Sequence, residues 1–209
     1  MNPRSAERPR TPKGQGDRLR GEILDATRRL LLQAGDVAEV SVRAIAAEVG
    51  VTAPSIYRHF ETKDELIFAV CEESFAELDR RSSAAADEEP DPLSGLAARG
   101  RAYVHFGLEH PEQYRLLFMT RAAFEGDDAS ERLRSTAAFD HLVHAVDAAI
   151  DAKALRPDLD PFTVAIGLWA SSHGLTSLLI AKPQFPWPPV DNLIEHTLTA
   201  SLAGLLPTS

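Results

Sequence analysis

The chain is poor in cysteine, in long apolar runs and in net positive charge. Of its 209 residues one is cysteine, Cys71, which excludes an intramolecular disulfide and points to a reducing, cytoplasmic setting. That thiol has two readings, a redox sensor or a small buried apolar side chain on a linking helix, and the second is the commoner use. No stretch reads as long and apolar enough to span a membrane. The first residues, MNPRSAERPRTPKGQGDR, are basic without an apolar run, so neither a secretory signal nor an anchor is expected there. A nucleophile–base pair, a phosphate-cradling glycine loop and a metal-type ligand set are also missing. The 7 histidines are scattered, and His141 with His144 has no Cys or carboxylate pattern beside it. An enzyme is therefore not expected, nor a catalytic residue, a cofactor or a bound metal.

The net charge of −9 and pI near 5.2 exclude a uniformly basic architectural DNA protein. The charge is unevenly placed. Residues 1 to 64 hold 11 Lys+Arg against 9 Asp+Glu, net +2, and the remainder holds 11 against 22, net −11. Residues 1 to 16 read as a disordered basic arm, in which Arg4, Arg8, Arg10 and Lys13 lead into Arg18 and Arg20. Such an arm either adds phosphate contacts or minor-groove contacts, or is a solvated tail.

What the chain does contain is the segment SVRAIAAEVGVTAPSIYRHFETK, residues 41 to 63. Ser41 can cap a short helix through its hydroxyl, and Ile45, Ala46 and Val49 follow at helical spacing on one apolar face. Gly50 suits the left-handed conformation that ends a helix before a sharp turn. Thr52 then caps a second helix in which Pro54 is tolerated, because first-turn N–H groups have no intrahelical partner. Ile56 and Phe60 face inward. Ala46 leaves room for a steep crossing of the two helices. This is a helix-turn-helix pattern, and its second helix presents Thr52, Ala53, Ser55, Tyr57, Arg58 and His59 outward with no acid among them. In such motifs the second helix enters the major groove with its N-terminal residues nearest the base edges. The bland alternative is the same motif packed in an ordinary helical domain, its outer face merely solvated.

The run from Val42 to Lys63, with Tyr57, His59, Phe60 and Lys63 spaced as they are and a helix over residues 17 to 34 in front, resembles the DNA-binding domain of TetR-type transcriptional regulators. The resemblance is specific over residues 17 to 70 and holds in layout over the rest. It implies that Thr52, Ala53, Pro54 and Ser55 face bases or nearby phosphates, and that Tyr57, His59 and Lys63 hold the phosphate backbone. Ser41 and Arg43, at the start of the first helix of the pair, complete the DNA-facing set. Ala53 departs from a polar base reader and limits that position to apolar contact, as with a thymine methyl.

The expected fold is all-α, with an N-terminal three-helix helix-turn-helix DNA-binding domain over residues 17–63 and a C-terminal helical bundle over residues 64–209, about nine helices in all. The first helix turns Leu19, Ile23, Ala26, Leu30 and Leu31 inward and stops at Gly35. After the motif, Thr62 or Asp64 caps a bridging helix that carries Leu66, Ile67, Val70 and Phe75 to about Arg81, and SSAAADEEPDP reads as a loop. Further helices run from Leu93, from Pro111, from Ser130 to Ala154, after Pro161, and from Val190 to Leu205. RAAFEGDDAS is a loop.

Trp169 and His173 lie four apart on one helical face and Gly174 permits close backbone approach. With HPEQYRLLF, this also resembles a C-terminal domain of one TetR-type subgroup named for its Trp, His and Gly (WHG). Trp169 and His173 either line a pocket or form a satisfied core histidine beside a structural tryptophan. Phe75, Tyr103, Phe106, Tyr114 and Phe118 join them as candidate cavity residues for an apolar or aromatic effector, with plain core packing as the alternative. The expected partners are a palindromic double-stranded DNA operator, a small-molecule effector and a second copy of the chain. The homodimer is expected through the last two helices, where Ile166, Leu178, Leu179, Leu198 and Leu202 have little room in a monomeric core. Control by a protein partner in place of a small molecule is the alternative.

Overall fold

The computed structural model describes residues 15–118 and 137–207, and the basic arm, the RAAFEGDDAS loop and the start expected at Ser130 lie outside them. Among the described residues there are nine α-helices and no strand. The chain divides into two compact units that meet between Val70 and Cys71, which places the boundary within a helix and beyond the Lys63/Asp64 division expected from sequence.

In the first unit, α1 (Gln15–Ala34) buries Ile23, Leu24, Ala26 and Leu31, while Leu19 and Leu30 are only half-buried. It ends at Gly35, whose φ of 72° few other residues adopt without strain. A 3-10 turn, Val37–Glu39, follows, capped by the Asp36 carboxylate, which accepts from the Ala38 N–H at 2.8 Å. It brings Val37 and Val40 into the core. α2 (Val42–Val49) is capped as expected by Ser41, whose Oγ accepts from the Ala44 N–H at 3.1 Å. Gly50 closes it in the left-handed region, φ 78°. Ala46, expected at the crossing of the two helices, is buried, 4% exposed.

α3 (Ala53–Ile56) is shorter than the sequence pattern suggests. Tyr57, Arg58 and His59 lie in the turn that follows it, held by the His59 and Phe60 N–H groups donating to the Ile56 carbonyl at 2.8 and 3.1 Å. Thr52 is its N-cap by backbone conformation but makes no capping bond; its hydroxyl pairs with Ser55 Oγ at 3.1 Å instead. Ile56 and Phe60 are each 1% exposed, and the Arg20 guanidinium lies 4.9 Å from the Phe60 ring. Burying side chains of this size stabilises by about 1.5–3 kcal/mol each.

α4 (Lys63–Asp87) is capped by Thr62, whose Oγ1 accepts from the Glu65 N–H at 3.0 Å. It outruns the expected end at Arg81, because Ser82–Asp87 is helical and not loop. Three consecutive alanines favour helix strongly enough to carry the two serines with them, so the break shrinks to residues 88–91. Cys71, on α4, is fully buried and its thiol is pushed up to about 12, by burial first and by Glu72 second. A thiol so held is a packing group, not a reactive one.

The second unit continues with α5 (Pro92–Glu109), α6 (Pro111–Phe118), α7 (Ala137–Asp151), α8 (Pro161–Ala181) and α9 (Val190–Ala203). Asp91 and Asp160 cap α5 and α8, each followed by a proline in the first turn. α8 packs on α5, α7 and α9. By length and composition α8 could cross a membrane, against the sequence expectation; its apolar, small-residue character serves helix–helix packing here. Two glycines on α5 that the sequence reading passed over set the closest approach. A Cβ on Gly100 would overlap the Leu198 side chain, and one on Gly107 would overlap Thr176 with Tyr114 at 3.0 Å. Gly174, by contrast, has none of the described residues within 4 Å of a Cβ position, so the close approach expected there is not made among them.

Candidate nucleic-acid interface and ligand cavity

The two short helices of the first unit start with the residues expected to meet DNA. Ser41 and Arg43 open α2 with exposed side chains, and Thr52, Ala53, Pro54 and Ser55 form the cap and body of α3, all exposed or half-exposed. Tyr57 leaves 51% of its surface open, large for an aromatic in a folded domain. Arg58 Nη2 donates to Ser55 Oγ at 3.3 Å, which draws a guanidinium over the hydroxyl pair of Ser55 and Thr52. His59 is half-buried. From Val49 to Phe60 there is no carboxylate, so phosphates approaching α3 meet hydroxyls, one guanidinium and an imidazole. Lys63 has a second occupation: its Nζ donates to the Val37 carbonyl at 2.7 Å, tying the start of α4 to the 3-10 turn. Ser41 likewise spends its hydroxyl on the α2 cap.

In the second unit a cavity of about 280 Å³ opens among α4, α5, α6, α7, α8 and α9. Four of the expected residues line it, Phe75, Tyr103, Phe118 and Trp169. Phe106, Tyr114 and His173 do not. Phe106 is 1% exposed and sits beneath Arg81 and His110, at 5.7 and 5.3 Å. Tyr114 and His173 turn their polar ends toward each other behind the wall: Tyr114 Oη and His173 Nδ1 are 2.6 Å apart.

These groups form one hydrogen-bonded chain. Trp169 Nε1–H donates to Tyr103 Oη at 3.2 Å, Tyr103 Oη–H to Tyr114 Oη at 3.3 Å, Tyr114 Oη–H to His173 Nδ1, and His173 Nε2 meets Ser177 Oγ at 3.4 Å. A neutral imidazole protonated at Nε2 satisfies every member. Burial holds the His173 pKa below the ordinary histidine range, which favours that form. Burial likewise drives the Tyr103 and Tyr114 hydroxyls upward, so both stay protonated. Trp169 lines the cavity, whereas His173 does not and has both ring nitrogens within reach of Tyr114 and Ser177.

The wall also holds charge that the aromatic pattern did not reveal. Asp79 and Arg99 line the cavity. Asp79 is paired with His141 Nδ1 at 2.8 Å, whereas Arg99 has one hydrogen bond among the described residues, from Nη1 to Ser83 Oγ at 3.2 Å. Burial lowers the Arg99 pKa, while Asp79 and Asp87 act the other way. A sequence signal existed: Arg99 lies between Leu96 and Tyr103 at helical spacing, a charge in an apolar row. Phe139, Leu142, Phe162 and Ile166 complete the apolar lining.

Comparison with known proteins agrees with both units. Residues 23–70 match the bacterial regulatory proteins of the tetR family, and residues 96–201 match the tetracyclin repressor-like C-terminal domain. The latter description is general and does not single out the subgroup named for Trp, His and Gly. The HTH-type transcriptional regulator AcrR of Shigella flexneri is 30% identical over 84% of this chain and 84% of its own. The nucleoid occlusion factor SlmA of a Marinomonas species is 26% identical over 81% of this chain and 89% of its own. A solved structure described as a protein with unknown function from Rhodococcus sp. is 28% identical, covers 96% of this chain and 100% of its own, and superposes with a TM-score of 0.76. With a helix-turn-helix unit, a helical C-terminal unit and both family matches in register with them, the chain belongs to the TetR family of DNA-binding transcriptional regulators.

Proposed function

We propose that this regulator is a repressor that binds a palindromic operator as a homodimer and releases it when an apolar effector occupies the cavity of the second unit. The observation that carries the reading is the pairing of an acid-free, solvent-facing α3 in one unit with an apolar cavity in the other. In the major groove, Thr52, Pro54 and Ser55 approach base edges, while Arg43, Tyr57, His59 and Lys63 lie toward phosphates. α4 begins at Lys63 and also supplies Phe75 and Asp79 to the cavity wall, so one helix is available to carry a change from effector to DNA.

The dimer proposal rests on the outer face of α8, where Leu178 is 52% exposed and no described residue comes within 4 Å of a Cβ placed on Gly167 or Gly174, whereas Ile166, 43% exposed, lines the cavity. An apolar, small-residue face suits a second copy related by a two-fold axis, and a two-fold dimer carries two α3 helices for the two half-sites of a palindrome. Three residues expected on that face do not belong to it: Leu179, Leu198 and Leu202 are buried in the protomer's own core.

The test is selection of bound fragments from a genomic DNA pool, followed by affinity titration on the enriched sequence. A two-fold symmetric enriched site, bound by two protomers, is the expected result. Enrichment of no sequence over the pool would overturn the operator reading. The likeness to a nucleoid occlusion factor, a name that describes a role other than transcription, supports a second reading in which DNA binding is governed by a protein partner. Operator affinity unmoved by any cavity ligand would favour it.

A further inference from the structure

The cavity lining is mostly apolar, yet one cation in its wall, Arg99, has no anion in ion-pair contact among the described residues. Arg99 is half-buried and reaches no carboxylate in ion-pair contact among the described residues; of its N–H donors only Nη1 is taken, by the neutral Ser83 hydroxyl. A guanidinium withdrawn from water without a paired anion is unfavourable, and the cost is recovered when a carboxylate arrives in its fork. The nearby acids do not fill that role. Asp79 is engaged through both oxygens by His141 Nδ1, at 2.8 and 3.0 Å, and Asp87 acts on Arg99 only at longer range. A cationic ligand would find Asp79 already occupied, and a neutral one would leave Arg99 as it is.

We propose that Arg99 is the anchor for an acidic head group, and that the effector is a small apolar carboxylate whose body lies against Phe75, Phe118 and Trp169. The inference rests on the effector reading above and names the chemical class that reading leaves open. Size sets a further bound. At about 30 Å³ per water-sized group in a liquid, a cavity of about 280 Å³ holds an acid with about nine non-hydrogen groups, such as a medium-chain fatty acid or a benzoic acid. Arg rather than Lys suits this task, because its planar fork matches both carboxylate oxygens at once.

The experiment is calorimetric titration of the full chain with octanoate and benzoate, with octanamide and benzamide as neutral partners of the same shape, and with octylamine as the cation. The acids are expected to bind at least about tenfold more tightly than their amides, and Arg99→Gln is expected to abolish that difference. Arg99→Lys keeps part of the preference and guards against a variant that fails to fold. Equal binding of acid and amide by the unmodified chain, tighter binding of octylamine, or a preference that survives Arg99→Gln would each overturn the anchor while leaving the effector cavity standing. No binding of any of these probes would remove the cavity reading and the anchor together.

Discussion

The Lys63 ammonium donates to the Val37 carbonyl at 2.7 Å, so a residue whose family resemblance implies a phosphate contact also ties the 3-10 turn to the start of α4. The two roles are separable. Lys63→Ala should lower the stability of the first unit by about 1 kcal/mol through the lost charge-assisted bond. If the ammonium also reaches a phosphate, the same substitution should reduce the slope of log affinity against log salt by about one per head, with equal loss on all sequences. Thermal melting and salt titrations on the same variant measure the two effects. A stability loss with an unchanged salt slope would assign Lys63 to the fold alone.

The glycines of the second unit divide into two kinds. Gly100 and Gly107 let α5 approach α9, α8 and α6 where a methyl group has no room, so Gly107→Ala should destabilise by about 1–3 kcal/mol despite the better helix propensity of alanine. Gly174→Ala meets none of the described residues and should leave the intrinsic fold unharmed. Chemical denaturation of the two variants side by side checks this, and a Gly107→Ala protein as stable as the parent would show that Thr176 and Tyr114 yield easily.

Charge placed on the two sides of α8 and α9 should separate folding from assembly. Leu178→Glu puts an acid on the exposed face and is expected to give folded monomers in sedimentation. Leu198→Glu puts one where the side chain is 5% exposed and is expected to unfold the second unit, since an unpaired buried carboxylate costs several kcal/mol. Sedimentation of the unmodified chain as a monomer at micromolar concentration would sink the dimer reading.

The helix-turn-helix was legible because its signals are local: Ser41 caps, Gly50 turns, and Ile45, Ala46, Ile56 and Phe60 repeat at the helical period. The α4 end was misread for an equally local reason, since Ser82 and Ser83 look like loop residues until the following alanines are weighed. The cavity was legible only in part. Periodicity says which residues share a face, but not what the face meets, so Phe75, Tyr103, Phe118 and Trp169 were found together with Phe106, Tyr114 and His173, which pack elsewhere. Arg99 and Asp79 were missed because charge is usually solvated, and only the folded bundle brings them to an apolar wall. Gly100 and Gly107 were missed because their neighbours lie far along the chain.

His173 supplies a pH test of the hydrogen-bonded chain behind the cavity. Burial places its folded pKa below the unfolded value of about 6.5. Below the unfolded value the unfolded chain binds a proton that the folded one resists, so the stabilisation is complete above about pH 6.5 and is lost as pH falls through that value toward the folded pKa. Protonation would also remove the Nδ1 acceptor that Tyr114 uses. The melting temperature of the second unit should therefore drop on going from about pH 7.5 to about pH 5, and the drop should be smaller in His173→Gln, whose side chain can still accept from Tyr114 but does not titrate. Because carboxylates elsewhere contribute to acid destabilisation in both proteins, the measured quantity is the difference between the two pH profiles, followed through the fluorescence of Trp169 in a Trp187→Phe background. Parallel profiles would mean that the imidazole is free to protonate in the folded state and that the Tyr103–Tyr114–His173 chain does not hold it neutral.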